Sequence, residues 1–182
     1  MKELRRLLPD EIELKVQTIN EKGAVLVPFI NRTAAINILN ESFGVTGWEI
    51  PENAYRIQGN CMTCMIRIYD EDKKEWISKV DGTSYSSGAT EDKDVKGQLS
   101  DAFKRTVMTI GLGTELSTSP FIWISADKMK MVQRNGKYAT YDKFVCTDID
   151  YSNNNRITKM EITNQSTGQV VFTFENKIKS VR

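Results

Sequence analysis

Residues 94–114, DVKGQLSDAFKRTVMTIGLGT, decide how the rest of the chain is read. At 100° per residue, Val95, Leu99, Ala102, Phe103, Thr106 and Ile110 fall on one stripe of a helix. Lys104 and Arg105 lie to either side of that stripe, each more than a quarter turn from its centre. Gly111 and Gly113 end the helix, because glycine adopts the left-handed backbone of a C-terminal cap without a steric penalty. The pattern predicts a helix with one face against a core and two fixed cations on the other.

Working outward, the flanking segments alternate between helix and strand signals. Upstream, 61–69, CMTCMIRIY, alternates with period two, and 76–83, WISKVDGT, returns from the charged turn DEDKKE as the second strand of a hairpin. Residues 84–93 are polar and turn-rich, and are expected to form a mobile loop. Asn31 or Thr33 caps a helix over roughly 33–43, with Ala35, Ile36, Leu39 and Phe43 on its buried side and Gly44 as its stop. Trp48 opens a strand toward Ile57. AVLVPFI, 24–30, reads as a strand in which Pro28 marks an edge or an end. In 10–20, Ile12, Leu14 and Val16 fit alternation as well as Ile12, Val16 and Ile19 fit a helix; the acidic start after Asp10 favours the helix. Downstream, FIWI is a short strand, and Asn135-Gly136 is a type I′ hairpin signal. KFVCTDIDY, RITKMEIT and QVVFTF follow as further strands. The whole reads as an α+β fold, an antiparallel β-β-β-α core with packed helices and C-terminal β-hairpins.

Composition sets limits on function. The chain has 182 residues, 25 Lys and Arg against 24 Asp and Glu, and no histidine. A histidine-based triad is excluded, and the commonest metal ligand and general base are missing. A net charge of +1 means that any nucleic-acid binding needs locally segregated charge. Three cysteines and a charged N-terminus without a signal-peptide pattern suggest a reduced, cytoplasmic setting. No stretch approaches the ~20 apolar residues of a membrane span. Cys61 and Cys64 form C-x-x-C, but on a strand an offset of three puts the thiols on opposite faces, ~10 Å apart along the strand. That geometry suits neither zinc nor a redox pair. Asp70, Glu71 and Asp72 read as a solvated turn, and no carboxylate constellation suggests a hydrolase. No cofactor is expected, and no G-x-x-x-x-G-K-[ST] motif occurs.

Adjacent cations on a helix are solvated more often than functional, but Lys104 and Arg105 sit on an element anchored from behind. Rigid cations lose less entropy on gripping a phosphate, and arginine grips bidentately. With Lys93, Lys96 and Arg67 they are candidates to line a groove for a sugar-phosphate backbone.

Two blocks carry a resemblance. Residues 40–48, NESFGVTGW, resemble the NE-x-FG-x-x-GW block of the Rad52 family of single-strand annealing proteins. Residues 100–111, SDAFKRTVMTIG, resemble that family's [ST]-D-[AG]-[LF]-KRA-x-x-x-x-G block, and the two stand in the family's order with a hairpin between them. The resemblance covers residues 1–115, the expected strand-annealing core; 116–182 form a β-rich extension, expected to pack on the core or on a neighbouring subunit. The chain looks most like a phage or prophage member acting in the cytoplasm of a bacterial host.

The resemblance implies rings or helical arcs of identical subunits, single-stranded DNA in an outer basic groove, and annealing without ATP or covalent catalysis in recombination and repair. It implies a phage exonuclease and a single-strand-binding protein as partners. It assigns DNA contact to Lys104 and Arg105, and more loosely to Arg67, Lys93 and Lys96. Two positions depart from the pattern: Met108 stands where the family often has a third cation, and Arg32, also a candidate for DNA contact, lies about two residues before the family's arginine. The alternative is a module that coats or loads single strands without annealing them.

Overall fold

The structure is a computed structural model that describes residues 4–85 and 92–176, the side chains of 92–94 excepted. It is an α+β fold of antiparallel strands. The chain divides into two compact units, Met1–Arg5 with Asn31–Gly113, and Arg6–Ile30 with Thr114–Arg182.

The first unit begins with α1, Arg32–Phe43. Asn31 caps it, its side-chain oxygen accepting from the backbone N–H groups of Thr33 and Ala34. Gly44, at φ 77°, stops it and donates to the Asn40 carbonyl. The buried side is Ala34, Ala35, Ile38 and Leu39, one position round from the expected stripe. The chain then forms β3 (Trp48–Glu49), β4 (Tyr55–Gln58), β5 (Cys61–Asp70) and β6 (Glu75–Ser84). β5 is central: β6 pairs along one edge over its full length, and β3 and β4 share the other. The single strand expected from Trp48 to Ile57 is thus two short ones. Met62, Cys64, Ile66 and Ile68 of β5 are buried, as alternation requires. Above them packs α2, Asp92–Met108, which also touches α1. The segment after Met108 turns through Gly111 (φ 99°) and Gly113 (φ 74°), where positive φ calls for glycine. The expected loop 84–93 falls mostly at 86–91, outside the described residues.

The second unit is a six-stranded antiparallel sheet. Its strands are β1 (Ile12–Asn20), β2 (Gly23–Ile30), β7 (Ile122–Ser125), β10 (Phe144–Tyr151), β11 (Ile157–Asn164) and β12 (Gln169–Glu175), in the order β12-β11-β10-β1-β2-β7. A separate hairpin, β8 (Met131–Arg134) with β9 (Lys137–Thr140), turns at Asn135 and Gly136, both at positive φ as a type I′ turn demands. The helix expected over residues 10–20 is corrected here: only Pro9–Glu11 make a 3-10 turn, and the rest is β1. Glu11 completes that turn by accepting the Leu8 N–H at 2.8 Å. Beyond it the β-branched Ile12, Val16, Thr18 and Ile19 pair with β2, and tertiary pairing overrides a weak local helix signal. Pro28 sits beyond the stretch of β2 that pairs with β7, where one side of the strand carries no partner in the sheet. Among the described residues no helix is long and apolar enough to cross a membrane.

Candidate nucleic-acid interface

The two sequence blocks meet inside the first unit. Trp48 donates its indole N–H to the Asn40 side-chain oxygen at 2.7 Å, clasping the end of α1 to the start of β3. Gly47 is needed at this crossing, since a Cβ there would lie 2.0 Å from the Phe43 carbonyl oxygen. Glu41 pairs with Arg5 at 2.7 Å. The Trp48 ring then packs, tilted by 43° at 6.3 Å between ring centres, against Phe103 of α2, which is fully buried. The NESFGVTGW block is therefore a scaffold that holds α2 from below.

Thr106 fixes α2 from a second side. Its hydroxyl lies 2.9 Å from the carbonyl oxygens of Cys64 and Ala102 and 3.3 Å from that of Asp81, sharing its proton among the three. Helix, β5 and β6 are tied at one point, directly beneath the Lys104-Arg105 step.

The two cations of that step have different surroundings. Arg105 projects outward with its side chain 59% exposed, its guanidinium 3.8 Å from the Asp81 carboxylate. That separation is too long for a hydrogen bond, and the fork stays available to a second anion. Lys104 is 6% exposed, and its ammonium lies 3.1 Å from Asp101, one turn back. The expectation that both cations stand on an open face is corrected for Lys104. The buried arc of α2 takes in Ala102, Phe103, Lys104, Thr106 and Val107, wider than the predicted stripe. Val95, at the other end of that stripe, is exposed. So is Met108, 39% exposed, on the same side as Arg105.

The remaining candidates do not converge on this step. Arg67 alternates with the buried residues of β5 and so faces away from α2, where it pairs with Glu49 at 2.7 Å and lies 5.2 Å over the Trp76 ring. The sheet stands between it and Arg105. Arg32 folds over the Phe103 ring at 5.0 Å, half-buried. Lys96 is exposed, but nine residues from Arg105 it points half a turn round the helix. The side chain of Lys93 lies outside the described residues. Sequence reasoning missed the two carboxylates that hold the Lys104-Arg105 step. Asp101 was legible as an i,i+3 partner, whereas Asp81 comes from a distant strand and gave no local signal.

Arg32 closes a half-buried cluster with Tyr55 and Cys64. Burial pushes both the Tyr55 hydroxyl and the Cys64 thiol above their ordinary pKa values. The thiol adds to the tyrosine's shift and Arg32 opposes it, though the hydroxyl reaches no partner with good hydrogen-bond geometry. A thiol held protonated is a poor nucleophile and a poor metal ligand. Cys61 faces the other side of β5, as strand geometry requires, and all three cysteines are free. Among the described residues no three metal-ligating side chains converge. A cleft of about 290 Å³ opens between Phe43, Ile68, Ile77 and Ile110, but the turn Asp70–Asp72 rims it with carboxylates, which disfavours phosphate there.

A sequence profile described as "Rad52/22 family double-strand break repair protein" matches residues 2–136, well over half of the chain. No curated protein matches it.

Proposed function

Because the chain belongs to the Rad52/22 family of double-strand break repair proteins, we propose that it binds single-stranded DNA and anneals complementary strands without ATP. The observation that carries this reading is Arg105: an exposed guanidinium on a helix pinned by Phe103 and Thr106, held loosely enough by Asp81 to take a phosphate. Lys104, buried against Asp101, adds to the positive field at the same step without facing the DNA strand. The protein acts as a homo-oligomer, a ring or arc in which Arg105 repeats from subunit to subunit. That repetition supplies the charge one copy lacks, because Arg67 and Lys96 face elsewhere. Its role is in binding and positioning strands, with no covalent step. An exonuclease that resects duplex ends supplies its substrate, and a single-strand-binding protein competes for it.

Complementary labelled oligonucleotides mixed without ATP test the reading. The protein should accelerate pairing over the protein-free rate, and its mass should show an oligomer. Pairing at the spontaneous rate would remove annealing from consideration. One observation favours the second reading, a coating module: with Met108 exposed beside Arg105 and Lys104 buried, this helix face presents few free cations. Tight, salt-sensitive binding without accelerated pairing would establish it.

A further inference from the structure

The hairpin of β8 and β9 carries Arg134 and Lys137 and no carboxylate. Its flanks add Lys130 and Lys143, with Asp142 between the hairpin and β10, while Lys128 donates to the Val171 carbonyl and Asp127 lies before it. The register sets Arg134 directly opposite Lys137 and Val132 opposite Ala139, so both cations stand on one face. Tyr141 follows two residues beyond Ala139 and is 69% exposed; the Arg134 guanidinium lies 5.9 Å from its ring centre. Lys130 is exposed as well.

The Asp142 carboxylate is taken up elsewhere. It accepts from the backbone N–H of Lys130 and from the side-chain amide of Asn164, each at 2.8 Å. Asn164 is fully buried in β11 and also accepts from Ser166 N–H. Thr140 donates to the Lys130 carbonyl, closing the open end of the hairpin. Asp142 thus locks the hairpin to the six-stranded sheet. It leaves Arg134, Lys137 and Tyr141 on a braced surface.

We infer that this hairpin face is a second contact for single-stranded DNA, made by the unit that does not contain α2. Arg134 and Lys137 take backbone phosphates and Tyr141 stacks an unpaired base. Cations alone would suit any polyanion, but an exposed ring with the Arg134 guanidinium over one face adds a flat apolar surface, on its other face, that matches a nucleobase. A duplex keeps its base faces covered and has nothing to offer Tyr141. The inference rests on the proposed single-strand binding and adds a location and a chemistry to it.

The test uses the full chain and fluorescent oligo-thymidylate, with affinity measured across a salt series. Variants are Arg134→Ala with Lys137→Ala, Tyr141→Ala, Tyr141→Phe and, as a marker for α2, Arg105→Ala. The paired hairpin variant should reduce the slope of log affinity on log salt by about 1.4, two phosphates at about 0.7 each. Tyr141→Ala should weaken binding about five- to hundredfold, and Tyr141→Phe should bind as the parent does. All these side chains are exposed or half-exposed, and unchanged melting temperatures will confirm folding. If the hairpin variants keep the parent's affinity and slope while Arg105→Ala loses affinity, the hairpin contact is overturned and the α2 reading stands. If the parent does not bind oligo-thymidylate at all, both fall together.

Discussion

Lys104 and Arg105 are neighbours on one helix, and the fold uses them differently. Lys104 is buried with its ammonium on Asp101; its methylene stem is part of the packing. Lys104→Ala should therefore destabilise the protein by about 1–2 kcal/mol in urea denaturation. Arg105→Ala should stay within about 0.5 kcal/mol of the parent while weakening binding to single-stranded DNA about tenfold, as loss of one charge-assisted contact does. Equal stability losses in the two variants would contradict their different burial. Phe103, packed against Trp48 and lying under Arg32, should cost about 3–5 kcal/mol on truncation to alanine. A helical wheel placed Phe103 inside correctly, because the apolar spacing alone dictates it. It placed Lys104 outside because a wheel assumes one packing partner. α2 has two, the β5–β6 sheet and α1, and its buried arc opens to about 200°. Tertiary reach also hid the rest of the site. Nothing local to Arg67 tells which side of a two-sided strand faces a helix, and nothing near Arg105 points to Asp81.

At the level of elements, the legible parts were those whose signal is local. Asn135-Gly136 specifies its turn through two residues that tolerate positive φ, and Asn31 and Gly44 bound α1 by capping chemistry. β1 carries period-two and period-3.6 patterns that fit equally well, and the partner that decides between them, β2, is a separate strand. No local pattern signals that residues 12–30 share a sheet with strands more than a hundred residues later. Two glycines test how elements constrain single positions. Gly23 opens β2 at a φ of 155°, and a Cβ there would lie 2.2 Å from the Ile124 carbonyl oxygen of β7. Gly23→Ala should cost about 2–4 kcal/mol by forcing β7 away. Gly97 lies in α2 with open space around its missing Cβ. Gly97→Ala should stabilise by about 0.5–1 kcal/mol, since alanine gives up less backbone entropy in a helix. A fall in the denaturation midpoint of both variants would contradict the Gly97 argument, and a rise in both the Gly23 one.

Across the whole molecule the buried titratable groups set a common response to alkali. In the second unit, burial raises the Cys146 thiol to about 11 and lifts the Tyr151 hydroxyl as well, with the nearby Glu115 adding to the tyrosine's shift. In the first unit Cys64 and Tyr55 are shifted the same way, chiefly by burial. Each folded-state value is above the unfolded one, so the unfolded chain gives up its proton first as pH rises. Their contribution is fully present below about pH 9, the ordinary thiol value, and declines as pH passes through the folded value near 11. The exposed Lys159, raised by its pairing with Asp148, acts in the same sense at higher pH. Urea midpoints should therefore hold steady between pH 7 and about 9 and fall beyond it, because both units carry such groups. In Cys146→Ala the first part of that fall should become shallower even if the midpoint at pH 7 shifts. An unchanged slope would mean that Cys146 has no part in the alkaline loss. The same burial predicts an order of alkylation at pH 8: half-buried Cys61 reacts first, and Cys64 and Cys146 become reactive only on unfolding. Simultaneous labelling of all three thiols in the native protein would mean that the two cores open far more readily than their packing implies.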